Sequence, residues 1–271
     1  MAPPPQSGSL SQRFLALAQT LQFGIRYGLS YITFNYYSRW ARYSYRTAFV
    51  AAAATYGIVV YKAYRARARA GSRQQGGPLA LIGDENVQYL GMALVWLFAK
   101  QIPLALLPFM VYSVFHVATY TRTNILPTLS PPQQPAAGAS PGGRPASKAS
   151  PMADTIGRFV KEYYDSSMML VASLEIFLWF RVVGSALFFQ KGSWILLVIY
   201  TVFVRARYSQ SSFVQGAVGQ LGARGDALVA NQSTPPAVKQ GWETVKGVGR
   251  QAHDATDLNR YVGGQPMKKA Q

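Results

Sequence analysis

The chain has 271 residues, 49% of them hydrophobic and only 14% charged, yet 27 Lys and Arg against 10 Asp and Glu leave a net charge of +17. A soluble domain carries about 25% charged residues, so this chain has too few charges for a water-facing surface and too much apolar sequence for a disordered basic tail; lipid resolves the conflict. The lack of cysteine excludes disulfides, thiolate metal sites and cysteine nucleophiles, and two histidines, His116 and His253, exclude a histidine-rich metal site.

The opening residues 1–12 hold three consecutive prolines and neither a basic nor an apolar signal-peptide region, so a disordered N-terminus without a secretory signal is expected. No acidic residue precedes Asp84, which keeps a mitochondrial transit peptide among the readings. Residues 13–61 form a first membrane region. Its first part, 14–37, is apolar and aromatic but interrupted by Gln19, Gln22 and Arg26; its second part, 47–61, is an Ala/Val-rich short span. A full crossing needs roughly 20 mostly apolar residues, and few segments reach that. Residues 62–86, with five basic residues, are expected to form a cytosolic loop.

Residues 87–121 carry one charge, Lys100, followed by Gln101, Ile102 and Pro103. The length is too great for one pass, and the polar, proline-marked centre predicts a helical hairpin with both ends on one side. Seven prolines with Ala, Gly and Ser in 127–151 predict a flexible linker, set within a cytosolic segment 122–167. Its Ser-Pro pairs at Ser130, Ser140 and Ser150 are phosphorylation candidates or ordinary linker composition. A second hairpin, 168–204, turns at Gln190, Lys191 and Gly192, and the remaining 205–271 form a cytosolic tail. The fold class expected is therefore all-α, a polytopic integral membrane protein built of short helical hairpins. With every long connection on one face, 20 of the 27 basic residues fall on that face, which the positive-inside rule makes cytosolic. The other seven are Arg39, Arg42, Arg46, Lys100 and Lys191 on the opposite side and Arg26 and Arg181 inside spans.

Glu175 and Arg181 fall inside an apolar arm, where a charge is costly and functional by default. Six residues apart, they lie about 120° apart around a helix and cannot pair with each other. Each needs another partner, which favours helix gluing over a proton relay because no other acid lies within the apolar blocks. His116, between Phe115 and Val117, is expected to hydrogen-bond a neighbouring helix rather than to bind a ligand. Residues 247–252 formally fit a dinucleotide fingerprint, but no strand precedes them. In the tail, Val238, Trp242, Val245 and Ala252 recur at helical spacing with Lys239, Lys246 and Arg250 alternating around them. This predicts an amphipathic helix near 237–262, either inserting into an anionic membrane surface or merely solvated. No nucleic-acid-binding motif accompanies the basic residues, so no nucleic-acid partner is expected.

Three blocks, 55–62, 84–90 and 107–121, carry a family resemblance: Tyr56, Gly57, Tyr61 and Lys62; then Asn86, Tyr89 and Leu90; then Pro108, Tyr112, Ser113, His116 and Tyr120. Together they resemble the transmembrane protein 33 family, whose fungal members are pore-membrane nucleoporins, over about residues 9–207. The family's longer apolar first span is shortened here, where Gly24, Ile25 and Arg26 lead directly into Tyr27. The resemblance implies a multi-pass, non-enzymatic protein of the endoplasmic reticulum and nuclear envelope, without cofactors, that supports membrane shape and nuclear pore assembly or distribution. Its partners would be the bilayer's anionic cytosolic leaflet, other nucleoporins or membrane-shaping proteins, transport receptors at the tail, and a second copy of the chain. A mitochondrial inner-membrane assembly factor and a small polytopic transporter are the alternatives.

Overall fold

A computed structural model describes residues 7–69, 83–129, 151–230 and 234–255. Among these residues the protein is helical throughout, with no strand. It divides into two compact units between Ala217 and Val218.

In the first unit, α1 (Ser7–Ile32) and α2 (Arg39–Arg69) form a hairpin whose turn carries Phe34 at φ 55°. A second hairpin joins α3 (Glu85–Phe98) to α4 (Leu106–Tyr120) through a 3-10 turn at Pro103–Ala105. Asp84 caps α3 by accepting a hydrogen bond from the Asn86 backbone N–H. A π-helical turn, Thr121–Ile125, extends α4 into the short α5 (Leu126–Leu129). The third hairpin pairs α6 (Pro151–Leu187) with α7 (Ser193–Gln210) around Gly192, whose φ of 81° suits glycine. Helix α8 (Ser212–Val229) follows.

Hydrophobic spacing explains the packing. On α2, Ala41, Tyr45, Ala48, Ala52 and Tyr56 recur at intervals of three and four, and all are buried. Their alternation of small and aromatic side chains lets α2 approach both α1 and α3. Tyr89, Met92, Ala93 and Trp96 form the matching stripe on α3. The centre is aromatic: Phe49, Tyr56, Tyr89 and Phe109 meet edge-to-face or stacked, and Tyr89 also meets Phe203 of α7 at 5.6 Å. Phe177 and Phe180 of α6 and Ile195, Val198 and Val202 of α7 point outward, the arrangement lipid requires. Two continuous helical stretches, Pro103–Leu129 and Pro151–Leu187, are long and apolar enough to cross a bilayer.

Helix boundaries depart from the sequence expectation in three places. Helix α2 continues to Arg69, into the expected basic loop, because Lys62 to Arg69 alternates Ala, Arg and Lys, good helix formers, with no breaker. The chain stays helical to Leu129, and α6 begins at Pro151 rather than Met168. Pro151 takes the first helical turn, where its missing N–H costs nothing. Phe159 then stacks on Phe115 at 5.8 Å and Tyr164 meets the same ring edge-on, so tertiary contact stabilises a stretch whose polar composition reads as linker. The Ser-Pro pairs at Ser130 and Ser140, and Ser150 of the third, lie outside the described residues, as do the tail residues beyond Ala255.

The second unit consists of the end of α8 and α9 (Pro236–Ala255), which fold against each other. Trp242 lies over Gly225, where an added Cβ would meet the indole at 2.3 Å; only glycine admits the ring.

Candidate functional site

The most polar point of the first unit's interior lies where α3, α4, α6 and α7 converge. Each helix contributes from its packed face: Tyr89 from α3, Tyr112 from α4, Glu175 from α6, and Tyr200 and Arg207 from α7. On α7, Tyr200, Phe203 and Arg207 follow at intervals of three and four, which places the guanidinium on the same inward stripe as two aromatic rings.

Glu175 is 2% exposed and Arg207 4%. The Arg207 Nε lies 3.5 Å from Glu175 Oε2, and its guanidinium also pairs with Glu85, at the start of α3, and donates to the Tyr112 hydroxyl at 3.2 Å. Tyr89 donates its hydroxyl proton to the other carboxylate oxygen of Glu175, and the Tyr89 and Tyr112 hydroxyls lie 3.2 Å apart. The Tyr200 hydroxyl donates to the Glu175 backbone carbonyl at 3.1 Å. Above this network, the guanidinium sits 5.1 Å from the Tyr89 ring centroid, and Tyr56 of α2 stacks on the other side of the cluster against Tyr89, 5.4 Å away. One cation thus meets two carboxylates, one buried and one half exposed, with every intervening polar atom hydrogen-bonded. The arrangement ties four helices together. Of its two acids, Glu175 lies deep in the bundle and Glu85 is half exposed at the start of α3, and no group of three or more potential metal ligands occurs among the described residues.

Of the side chains singled out in the sequence, Glu175 is at this centre, and Tyr56, Tyr89 and Tyr112, one from each family block, surround it. A Cβ added at Gly57 would stand 4.0 Å from the Leu90 side chain, Asn86 belongs to the α3 cap, and Pro108 and Ser113 are buried on α4. Tyr61 is exposed, and Lys62 half-buried. Arg181 is elsewhere: it bonds Ser185 on its own helix and borders a groove beside Ile102, Pro103, Leu104 and Leu107. Lys100 is exposed in the α3–α4 turn. His116 and Tyr120 face α1, where Tyr120 stacks on Phe14 at 4.8 Å.

Arg207 was not singled out from the sequence, because a cation just beyond an apolar run reads as a headgroup contact. The available signal was its register, in phase with Tyr200 and Phe203, whereas Arg205 two residues earlier is not. Arg46, which topology counting leaves on the unfavoured face, donates to the Trp96 and Leu97 carbonyls and so caps the C-terminus of α3. Arg26, in the expected span, stands over the Trp40 ring at 5.2 Å.

On α9, Trp242 donates its indole N–H to Asp226 of α8 at 2.7 Å, and Lys246 bridges Asp226 at 2.8 Å and Glu243 at 2.7 Å. Asp226 is held below the usual carboxylate range by these two donors, Lys246 first; Lys246 is raised by Asp226 and Glu243. Trp242 and Lys246 therefore serve the α8–α9 pair, while Val238, Val245 and Val248 remain exposed on α9, with Lys239 half-buried and Arg250 exposed.

A bundle of helical hairpins with outward apolar faces and a fully bonded ionic cluster inside defines a polytopic α-helical membrane protein. Residues 2–252 match the family described as transmembrane protein 33/nucleoporin POM33, and the chain belongs to that family. The chain is 53% identical to the nucleoporin POM33 of Chaetomium thermophilum, over 99% of both chains. It is 28% identical to the pore membrane protein of 33 kDa of Saccharomyces cerevisiae, over 90% of this chain and 87% of the relative. Tetra-spanning protein 1 of Schizosaccharomyces pombe is 34% identical over 74% of this chain and 70% of its own. No solved structure matches.

Proposed function

We propose that the protein is a non-enzymatic component of the nuclear pore membrane and the adjoining endoplasmic reticulum, supporting pore assembly or distribution and membrane shape. The family match and the relatives' names, nucleoporin POM33 and pore membrane protein of 33 kDa, support the location. The observation that carries the mechanism is the unequal length of paired arms. Helix α3 has 14 residues, about 21 Å at helical rise, against a hydrocarbon core of about 30 Å. Its partner stretch, Pro103–Leu129, has 27 residues and reaches across. A hairpin with one short and one full arm occupies the two leaflets unequally and so favours curvature. The buried ionic cluster keeps the arms together, which makes the hairpins one wedge rather than separate helices.

The basic loops face the cytosol and its anionic leaflet. The exposed valines of α9, flanked by Lys239 and Arg250, contact the membrane surface or a transport receptor, and contacts to other nucleoporins, to membrane-shaping proteins and to a second copy complete the set of partners.

A fluorescently tagged full-length chain expressed from its own locus tests this reading. It predicts a nuclear rim with puncta coincident with a pore marker, and clustered or depleted pores on deletion. Mitochondrial signal, or a pore distribution unchanged by deletion, would contradict it.

A further inference from the structure

Arg13 differs from the other cations of the first unit's interior. Arg207 has two carboxylates and Arg46 has backbone carbonyls. The Arg13 Nε is buried and has no hydrogen-bond partner among the described residues. A buried, unsatisfied guanidinium nitrogen costs free energy unless something pairs with it.

Arg13 opens onto a cleft of about 140 Å³ between α1 and the end of α4, lined also by Phe14, Leu17, His116, Thr119, Tyr120 and Thr123. A cavity of ~150 Å³ holds a benzene-sized molecule, so a tetrahedral oxyanion fits. No carboxylate lines the cleft, and α1 and α2 contain no acid at all. The lining side chains carry a guanidinium, an imidazole and the hydroxyls of Thr119, Tyr120 and Thr123; the guanidinium, the imidazole and the Thr119 and Tyr120 hydroxyls are the donor chemistry that binds phosphate oxygens. Thr123 lies in the π-helical turn, where its hydroxyl donates to the Thr119 carbonyl at 2.9 Å and accepts from the Asn124 side-chain amide at 2.8 Å, so the Thr119 hydroxyl is the threonine donor left to the cleft. One wall is apolar, the stacked Phe14 and Tyr120 rings with Leu17 beneath. Free phosphate makes no use of such a wall; a glycerophospholipid does. The cleft sits at the basic end of the bundle: Arg122 follows within the π turn, its guanidinium laid against Gly157 of α6, with Arg158 next along. Thr123 and Arg122 lie in the C-terminal third of the stretch Pro103–Leu129, which is long and apolar enough to cross a bilayer.

We infer that this cleft is a binding site for the phosphate of an anionic phospholipid headgroup, with Arg13 as its principal ligand and His116 as a second donor. The inference requires the protein to be in a membrane and does not depend on its acting at nuclear pores.

The test uses the full-length protein purified in mild detergent, with lipid retention read by native mass spectrometry after incubation with phosphatidylserine, with phosphatidylcholine, or with phosphatidylserine plus excess inorganic phosphate. The expected result is preferential retention of phosphatidylserine, undisturbed by inorganic phosphate and reduced about five-fold in Arg13→Gln, the effect of losing one basic contact at an anionic headgroup. His116→Leu alters an exposed side chain and should lower retention to a lesser degree; it carries the test if Arg13→Gln fails to give a monodisperse, helical protein. Displacement by inorganic phosphate would overturn the lipid assignment in favour of a free-phosphate site. Equal retention of the two lipids, or retention unchanged in whichever of the two variants folds, would overturn the site itself.

Discussion

Glu175 and Arg207 concentrate the residue-scale chemistry, because each is too deeply buried to stay charged alone. Removing one partner of a buried pair costs about 3–5 kcal/mol, since the survivor is left uncompensated, while removing both can be nearly neutral. Arg207→Met is therefore expected to lower the Tm of the detergent-solubilised protein sharply, and Glu175→Gln less so, because Tyr89 still hydrogen-bonds the amide. The double variant should be more stable than the sum of the two losses predicts. Simple additivity in that cycle would show that the two side chains do not act as a pair. A second prediction concerns Asp226. Its carboxyl is held low in the folded state, so the stability it adds is present above the unfolded value near ~3.9 and is lost as pH falls through the lower folded value. Lys246, raised in the fold, contributes below about pH 10.4 and loses that contribution as pH rises through its folded value. The Trp242 indole N–H resonance, identified by its absence in Trp242→Phe, should hold its position through the neutral range and collapse toward the solvent-exposed value on acidification. A resonance already at that value at neutral pH would show that the α8–α9 pairing is absent.

At the scale of the helix, Arg46 turns a topological exception into a cap. Its guanidinium satisfies two of the carbonyls that α3 leaves unpaired at its C-terminus. Arg46→Gln should cost about 1 kcal/mol, read as faster amide hydrogen exchange confined to the end of α3 and the turn after it. Exchange that is unchanged there, or raised equally in α7, would remove the cap from the account. The same element shows how far the amino-acid sequence leads. The α3–α4 turn was readable from Lys100, Gln101 and Pro103, because a charge and a proline interrupt an apolar run locally. Glu175 was readable as needing a distant partner, because its helix offers none at the right angle. Which residue answers it was not readable: Arg207 is far away in sequence, and its burial follows from packing α7 against α3 and α6. The polar first half of α6 was hidden for the same reason, since the Phe115–Phe159 stack that supports it is long-range. Arg181, equally prominent in the sequence, lies outside the cluster because its side chain is short of no partner: Ser185 is one turn away.

For the whole molecule, the opening conflict between apolar composition and a charge of +17 resolves into position. Apolar side chains face outward along α6 and α7, aromatic ones fill the interior, and two basic side chains within the bundle are each occupied: Arg207 by carboxylates and Arg46 by carbonyls. Short and long arms, latched into one body, are expected to bias the bilayer toward curvature. Reconstitution of the purified full-length chain into liposomes of uniform size, imaged by electron cryomicroscopy, tests it most directly. Smaller or tubulated vesicles are expected with wild-type protein, and a weaker effect with Arg207→Met at equal protein content. Vesicles indistinguishable from protein-free liposomes, with the protein demonstrably inserted, would contradict it.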